Sequence, residues 1–181
     1  MNATSATPRF SPSAPPAGIP KLATARLAKE PRLAKEHRQA REWLLRTIRN
    51  QRGEFALIIV LCNDLAVQRS QIKQLRHGCP GNLPELKLSP SAQTLCSTVR
   101  QYRSVLNPGQ THALMVTGLE KVTELDDLLV ATNNAVNALV RHVPYPLVLW
   151  MNNKVFRRLV RYAPDLANRA PAAIRFHDPE D

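Results

Sequence analysis

The sequence predicts an α/β domain: a three-layer parallel sheet of about five strands, preceded by a basic helix and a proline-rich segment. Three observations point there. Short strand candidates recur along the chain at 55–62, 85–89, 112–117, 146–151 and 172–176, most of them apolar runs. Between them lie longer segments with helical periodicity. The first run, Phe55–Cys62, is apolar throughout rather than alternating, as a strand covered on both faces must be.

At 181 residues the chain suits one domain with room for a tail, and a hydrophobic fraction of 44% is enough for a core. Residues 1–20 contain five prolines among Ser, Ala and Thr, and predict a disordered tail. Residues 21–53 form a basic helical segment. The pentapeptide Arg-Leu-Ala-Lys-Glu occurs at 26–30 and 32–36 on either side of Pro31, and good helix formers follow. Ala40, Trp43, Leu44 and Ile48 share one face, with Arg38, Arg41, Arg46 and Arg49 mostly elsewhere, until Gly53 ends the helix. Docking through Trp43, Leu44 and Ile48 is expected.

The α/β domain spans 54–177, with 178–181 as a C-terminal tail. After the first strand, Ala66–Arg76 is helical and stops at Gly78-Cys79-Pro80-Gly81. Glu85–Ser89 is a short strand. Ala92–Leu106 is a helix with Leu95, Val99 and Tyr102 at core spacing, and His112–Thr117 is the next strand. Leu125–Val143 reads as one long helix with Leu129, Val136 and Val140 on a face. Pro146–Met151 is a strand, Lys154–Tyr162 a helix and Ala172–Phe176 the last strand.

Ligands of open α/β sheets bind at the carboxyl ends of the strands, where the first strand meets the first helix. Phosphate-binding loops there follow G-x-x-x-x-G-K-[ST]. The glycines let backbone amides close on phosphate, the lysine meets it, and the hydroxyl holds magnesium. Here the segment reads Asn63-Asp64-Leu65-Ala66-Val67-Gln68-Arg69-Ser70. Asn63 and Gln68 replace the glycines, Arg69 the lysine, and Ser70 keeps the hydroxyl, while Asp64 adds a negative charge. Thr117 stands at the position of the magnesium-coordinating aspartate, with Glu120 three residues on. Asn152 follows the 146–151 strand, where relatives of this fold place a polar residue near the γ-phosphate. The pattern is a degenerate nucleotide site.

Pro144-Tyr145-Pro146-Leu147-Val148-Leu149-Trp150, Phe156-Arg157-Arg158-Leu159 and Ala163-Pro164-Asp165 strengthen that reading. Together they resemble a P-loop-NTPase-like domain at the N-terminus of large bacterial proteins, notably cyanobacterial ones. There it precedes tetratricopeptide repeats. It is similar to the STAND-class signalling ATPases of the AAA-like group. The resemblance covers roughly residues 50–177 and is most specific over 144–165. It implies a scaffold or regulatory role in protein assembly. No repeats follow the last strand in this sequence, so a role that depends on them does not carry over.

The remaining residues add little chemistry. Histidines 37, 77, 112, 142 and 177 form no i, i+4 pair and no triad-like set. Cys62, Cys79 and Cys96 have no metal-ligand spacing, and Cys62 reads as a small buried hydrophobe. Asp126 and Asp127 begin a helix, where its dipole favours them, and Glu120 reads as a turn residue beside Lys121. Arg157, Arg158 and Arg161 make a basic stripe. No catalytic residue, metal or cofactor is expected. With no apolar leader and no run long enough to span a bilayer, the expected location is cytoplasmic.

The net charge of +11 favours acidic partners, and residues 1–54 carry most of it, with 11 basic and 4 acidic side chains. Three functions remain. The first is a non-catalytic protein-interaction or regulatory module with an unnamed protein partner. The second is a nucleic-acid-associated protein, or one bound to another acidic surface, using the basic helix with Arg157, Arg158 and Arg161. The third is a divergent ATPase using Arg69, Ser70 and Glu120. Few aromatics, 5% overall, weigh against base stacking in the second.

Overall fold

The computed structural model describes residues 21–103, 106 and 110–177, with side chains from residue 31 onward. The expected disordered tail at 1–20 and the tail at 178–181 lie outside the described residues. The elements are α1 (Lys21–Asn50), β1 (Ala56–Leu61), α2 (Leu65–Gly78), β2 (Glu85–Lys87), α3 (Leu95–Arg103) and β3 (Leu114–Thr117). A 3₁₀ turn at Leu119–Lys121 follows, then α4 (Leu125–Asn134), α5 (Val136–His142), β4 (Pro146–Met151), α6 (Asn153–Tyr162), α7 (Pro164–Ala167) and β5 (Ala173–Arg175).

All five strands form one parallel sheet in the order β2-β3-β4-β1-β5. β1 and β4 pair over their full length, from Ala56 opposite Pro146 to Leu61 opposite Met151. Every residue of β4 is buried, because both faces of this central strand are covered. The order is neither the Rossmann 3-2-1-4-5-6 nor the flavodoxin-like 2-1-3-4-5 arrangement, since β4 lies between β1 and β3. The layout is that of a three-layer α/β domain, with helices on both faces of one parallel sheet.

Chain direction fixes the layers. From β1 the chain crosses two strands to reach β2, and the next three crossovers run the opposite way. Right-handed crossovers then require α2 on one face and α3 to α7 on the other. The core divides accordingly. On one face Ile58, Val60, Met115, Val148 and Trp150 pack under Leu44 and Ile48 of α1 and Ile72 and Leu75 of α2. On the other, Leu57, Ile59, Leu114, Val116, Leu147 and Leu149 meet α3 to α7.

α1 runs antiparallel to the strands, from His37 beside the end of β5 to Asn50 near the start of β1. It continues unbroken through Pro31, whereas the sequence placed the good helix formers after that proline. Its docking face is also rotated from the one expected. Leu44 and Ile48 are fully buried, but Trp43 is 42% exposed. At about 100° per residue Trp43 lies a quarter-turn away from Leu44, and His37 takes the inward place two turns before Leu44. His37 Nε2 donates to the His177 carbonyl at 2.8 Å. Gln71 Nε2 stands 3.4 Å from His37 Nδ1, and Arg41 donates to Gln71 Oε1 at 2.8 Å. A polar chain thus ties α1 to α2 and to the end of β5. Phe176 stacks on Trp150 beneath it, ring centroids 5.5 Å apart.

The expected helix over Leu125–Val143 is two helices, divided at Ala135. Its inward face carries Leu139, with Val140 only half-buried. The residues just before the break secure neighbouring helices. Thr132 Oγ1 accepts from the Leu95 amide at the start of α3 at 3.0 Å. Asn133 Oδ1 accepts from the Leu166 amide in α7 at 3.1 Å. α3 is shorter than the expected 92–106, and the one-turn helix α7 and the 3₁₀ turn replace stretches read as connections.

Candidate functional site

β1 and β4 are neighbours whose outgoing connections leave to opposite faces, β1 to α2 and β4 to α6. That is where a crevice for a ligand opens in a sheet of this kind. Between Leu61 and Leu65 only Cys62, Asn63 and Asp64 remain to make the turn. Asp64 is the N-cap of α2: one carboxylate oxygen accepts from the amides of Ala66 at 2.6 Å and Val67 at 3.1 Å. A phosphate at a helix N-terminus would use these same donors and the same end of the dipole. Across the crevice Asn152 caps α6, its side-chain oxygen accepting from Val155 N at 2.8 Å. Asn63 Oδ1 accepts from Asn153 N at 2.9 Å and joins the two strand ends. Both helix starts at the switch point are therefore closed by side chains of the chain itself.

The segment aligned with a phosphate-binding loop is thus mostly helix. Leu65 to Ser70 belong to α2, and Asn63 has an ordinary negative φ. Among the described residues only Gly53 and Gly118 have positive φ. Asp64 at the cap position, followed by Leu, Ala, Val and Gln, starts the helix at once, one residue before the expected Ala66. Gln68 is buried, while Arg69 and Ser70 are exposed. Ser70 Oγ accepts from Gln74 at 3.3 Å and lies on the side of α2 toward α1. Asn63, Ser70 and Asn152 do not converge with the other expected site residues.

Gln68, Arg69, Thr117 and Glu120 do converge. They line a cleft of about 510 Å³ between α2 and the carboxyl ends of β2 and β3. Thr117 ends β3 buried, and its hydroxyl donates to Glu85 Oε1 at 2.9 Å. The other oxygen of Glu85 meets Arg76 at 3.4 Å. Thr117 is thus committed to a carboxylate on the neighbouring strand. Gly118, at φ +89°, turns the chain out of β3 so closely past β2 that a Cβ would sit 3.3 Å from the Leu88 carbonyl. The sequence reading missed Lys73, Arg76, Glu85, Lys87 and Lys121, all on this cleft. A signal existed for part of it: Arg69, Lys73 and Arg76 recur at i, i+4 and i+7.

The other basic residues separate by neighbour. Arg38, Arg46 and Arg49 are exposed on the outward face of α1, and Arg41 is half-buried against Gln71. On α6, Arg157 and Arg161 are exposed, and the Arg161 guanidinium lies 5.3 Å from the Tyr162 ring centre. Arg158 leaves the expected stripe: its Nε donates to Asp126 Oδ1 at 2.6 Å and fastens α6 to α4. That hydrogen bond lowers the Asp126 pKa below its ordinary value and raises that of Arg158. The helix dipole is therefore not the whole account of Asp126. Among the described residues no cluster of His, Cys, Asp and Glu is arranged to hold a metal ion. Nor, among those residues, is any helix long and apolar enough to cross a membrane.

No protein-family model matches the chain, and no curated protein matches it. Among solved structures, a chain in "Structure of Drosophila ORC bound to AT-rich DNA and Cdc6" is similar, at 12% identity and a TM-score of 0.49. The match covers 98% of this chain and 37% of that one.

Proposed function

We propose that the chain is a non-catalytic protein-interaction or regulatory module on a P-loop-NTPase-like fold, without nucleotide hydrolysis. The supporting observation is the short connection after β1, whose helix amides are already taken by the Asp64 carboxylate. Affinity for a triphosphate comes from a nest of free backbone amides, and this turn offers none at Ala66 or Val67. Thr117 and Glu85 satisfy one another where a magnesium site would need a free carboxylate.

The test is thermal unfolding with and without millimolar Mg-ATP, ADP and GTP. A ligand that binds only the folded state raises the transition with the logarithm of its concentration over Kd. No shift with any of the three is expected. A clear shift that Arg69→Ala removes would overturn the reading in favour of a working nucleotide switch.

A second reading, nucleic-acid association, draws on the exposed Arg38, Arg46 and Arg49, which face outward from α1. It requires retention on DNA or RNA that falls steeply with salt and is lost when these arginines become Gln.

A further inference from the structure

The cleft between α2 and the ends of β2 and β3 has an unbalanced charge. Arg69, Lys73, Lys87 and Lys121 line it exposed, and among the described residues none of them forms an ion pair. Arg76 and Glu85 satisfy each other, which leaves Glu120 as the one acid among the lining residues not engaged in an ion pair. Four like charges around a concave, partly apolar wall focus a positive potential into it. The wall is not purely polar. Ile72 and Leu88 form its buried base, and Leu65 stands at its mouth 44% exposed.

We propose that this cleft docks an acidic segment of a partner protein, one that offers carboxylates to the four cations and an apolar side chain to Leu65, Ile72 and Leu88. The proposal rests on the non-catalytic reading and names the class of partner for it. A volume of about 510 Å³ falls within the range of sites that enclose a small ligand or a few residues of peptide. Three observations favour carboxylates over nucleotide or nucleic acid. No Phe, Tyr or Trp lines the cleft, so bases find only the His77 imidazole to stack on. The Ala66 and Val67 amides at the start of α2 are held by Asp64, so phosphate finds no amide nest there. The apolar base matches a side chain of a peptide and nothing on a phosphate backbone. Addition of a strand to the sheet edge at β2 is a poorer fit, because the Tyr102 hydroxyl already donates to the Glu85 carbonyl on that strand.

The experiment is fluorescence anisotropy with a labelled peptide of about a dozen residues, rich in Glu and Asp, with a leucine at every fourth position. The comparisons are the same peptide with serine for leucine, a single-stranded oligonucleotide of equal charge, and Mg-ATP as competitor. Two double variants on exposed positions separate the cleft from general basicity: Lys73→Glu with Lys87→Glu in the cleft, and Arg46→Glu with Arg49→Glu on the far face of α1. Unchanged thermal transitions establish that both fold, and Lys73→Arg with Lys87→Arg keeps the charge. The proposal expects saturable binding, weakened about tenfold or more by the cleft reversal and by loss of the leucines. It expects a change within about twofold for the α1 pair and for the arginine pair. Equal loss in both reversal variants would overturn it as unspecific charge attraction. Tighter, cleft-dependent binding of the oligonucleotide would overturn it in favour of nucleic acid. If neither peptide nor Mg-ATP binds, the cleft assignment fails and the non-catalytic reading stands. If Mg-ATP displaces the peptide, both fail.

Discussion

Asp64 carries two duties at the switch point. It ends the turn after β1 and neutralises the start of α2. Replacing it by alanine removes the cap, and Asp64→Ala is expected to cost about 1 kcal/mol of stability, measured by denaturant unfolding. The Asp126–Arg158 pair makes a different prediction. Because the hydrogen bond lowers the Asp126 pKa in the folded state, the unfolded chain binds its proton first as pH falls. The pair's contribution is complete above the ordinary aspartate value of 3.8 and is lost as pH drops through the lowered folded value. Asp126→Asn should therefore lower the thermal transition at pH 7, and the gap from the parent should close in the acid range below about pH 4. The sequence marks Asp126 as a helix-start acid, whereas Asp64 was read there as a negative charge in the phosphate-loop segment. Only the fold brings Arg158, 32 positions away, against Asp126.

At the scale of elements, α1 distinguishes burial from mere proximity in sequence. Leu44 is enclosed and Trp43 faces largely outward, so Leu44→Ala should cost about 2–5 kcal/mol and Trp43→Ala far less, by denaturant unfolding. Apolar spacing at 40, 43, 44 and 48 gave the helix and two of its anchors. It did not distinguish Trp43 from His37, because the polar chain through Gln71 and Arg41 that admits the histidine is not written in the periodicity. The same limit applies at Ala135. Leu129, Val136 and Leu139 keep an apolar face across the break, so nothing in the pattern marks it. What marks it is tertiary: Thr132 and Asn133 turn their oxygens to α3 and α7. Thr132→Val would leave the buried Leu95 amide without its partner, at an expected cost of about 1–3 kcal/mol in the same measurement. The strands were more legible. β4 matches the apolar run Pro146–Met151 at both ends, since a strand buried on both faces must be apolar throughout.

For the molecule as a whole, one reversal of chain direction after β2 places α2 alone among the crossover helices on its face, with α1 beside it. It also creates a switch point between β1 and β4 and a separate cleft beneath α2. With Asn63 and Gln68 where a phosphate-binding loop has glycines, the sequence already raised the expectation of a turn closed to phosphate. The start of α2 at Leu65, one residue before the expected Ala66, is set locally by the Asp64 cap, whereas the link from Asn63 to the start of α6 depended on a contact across the sheet. The cleft was legible only in part. Its cations come from α2, β2 and the turn after β3, three segments that the sequence keeps apart and the topology gathers.

At the switch point the helix amides are held by side chains and closed to phosphate. The direct measurement is an amide-resolved NMR titration of the protein with Mg-ATP, following Ala66, Val67, Asn153 and Val155, whose N–H groups are held by Asp64, Asn63 and Asn152. These four resonances should stay in place up to millimolar nucleotide. Saturable movement of Ala66 and Val67 would mean that phosphate displaces the Asp64 carboxylate, and the claim would be wrong.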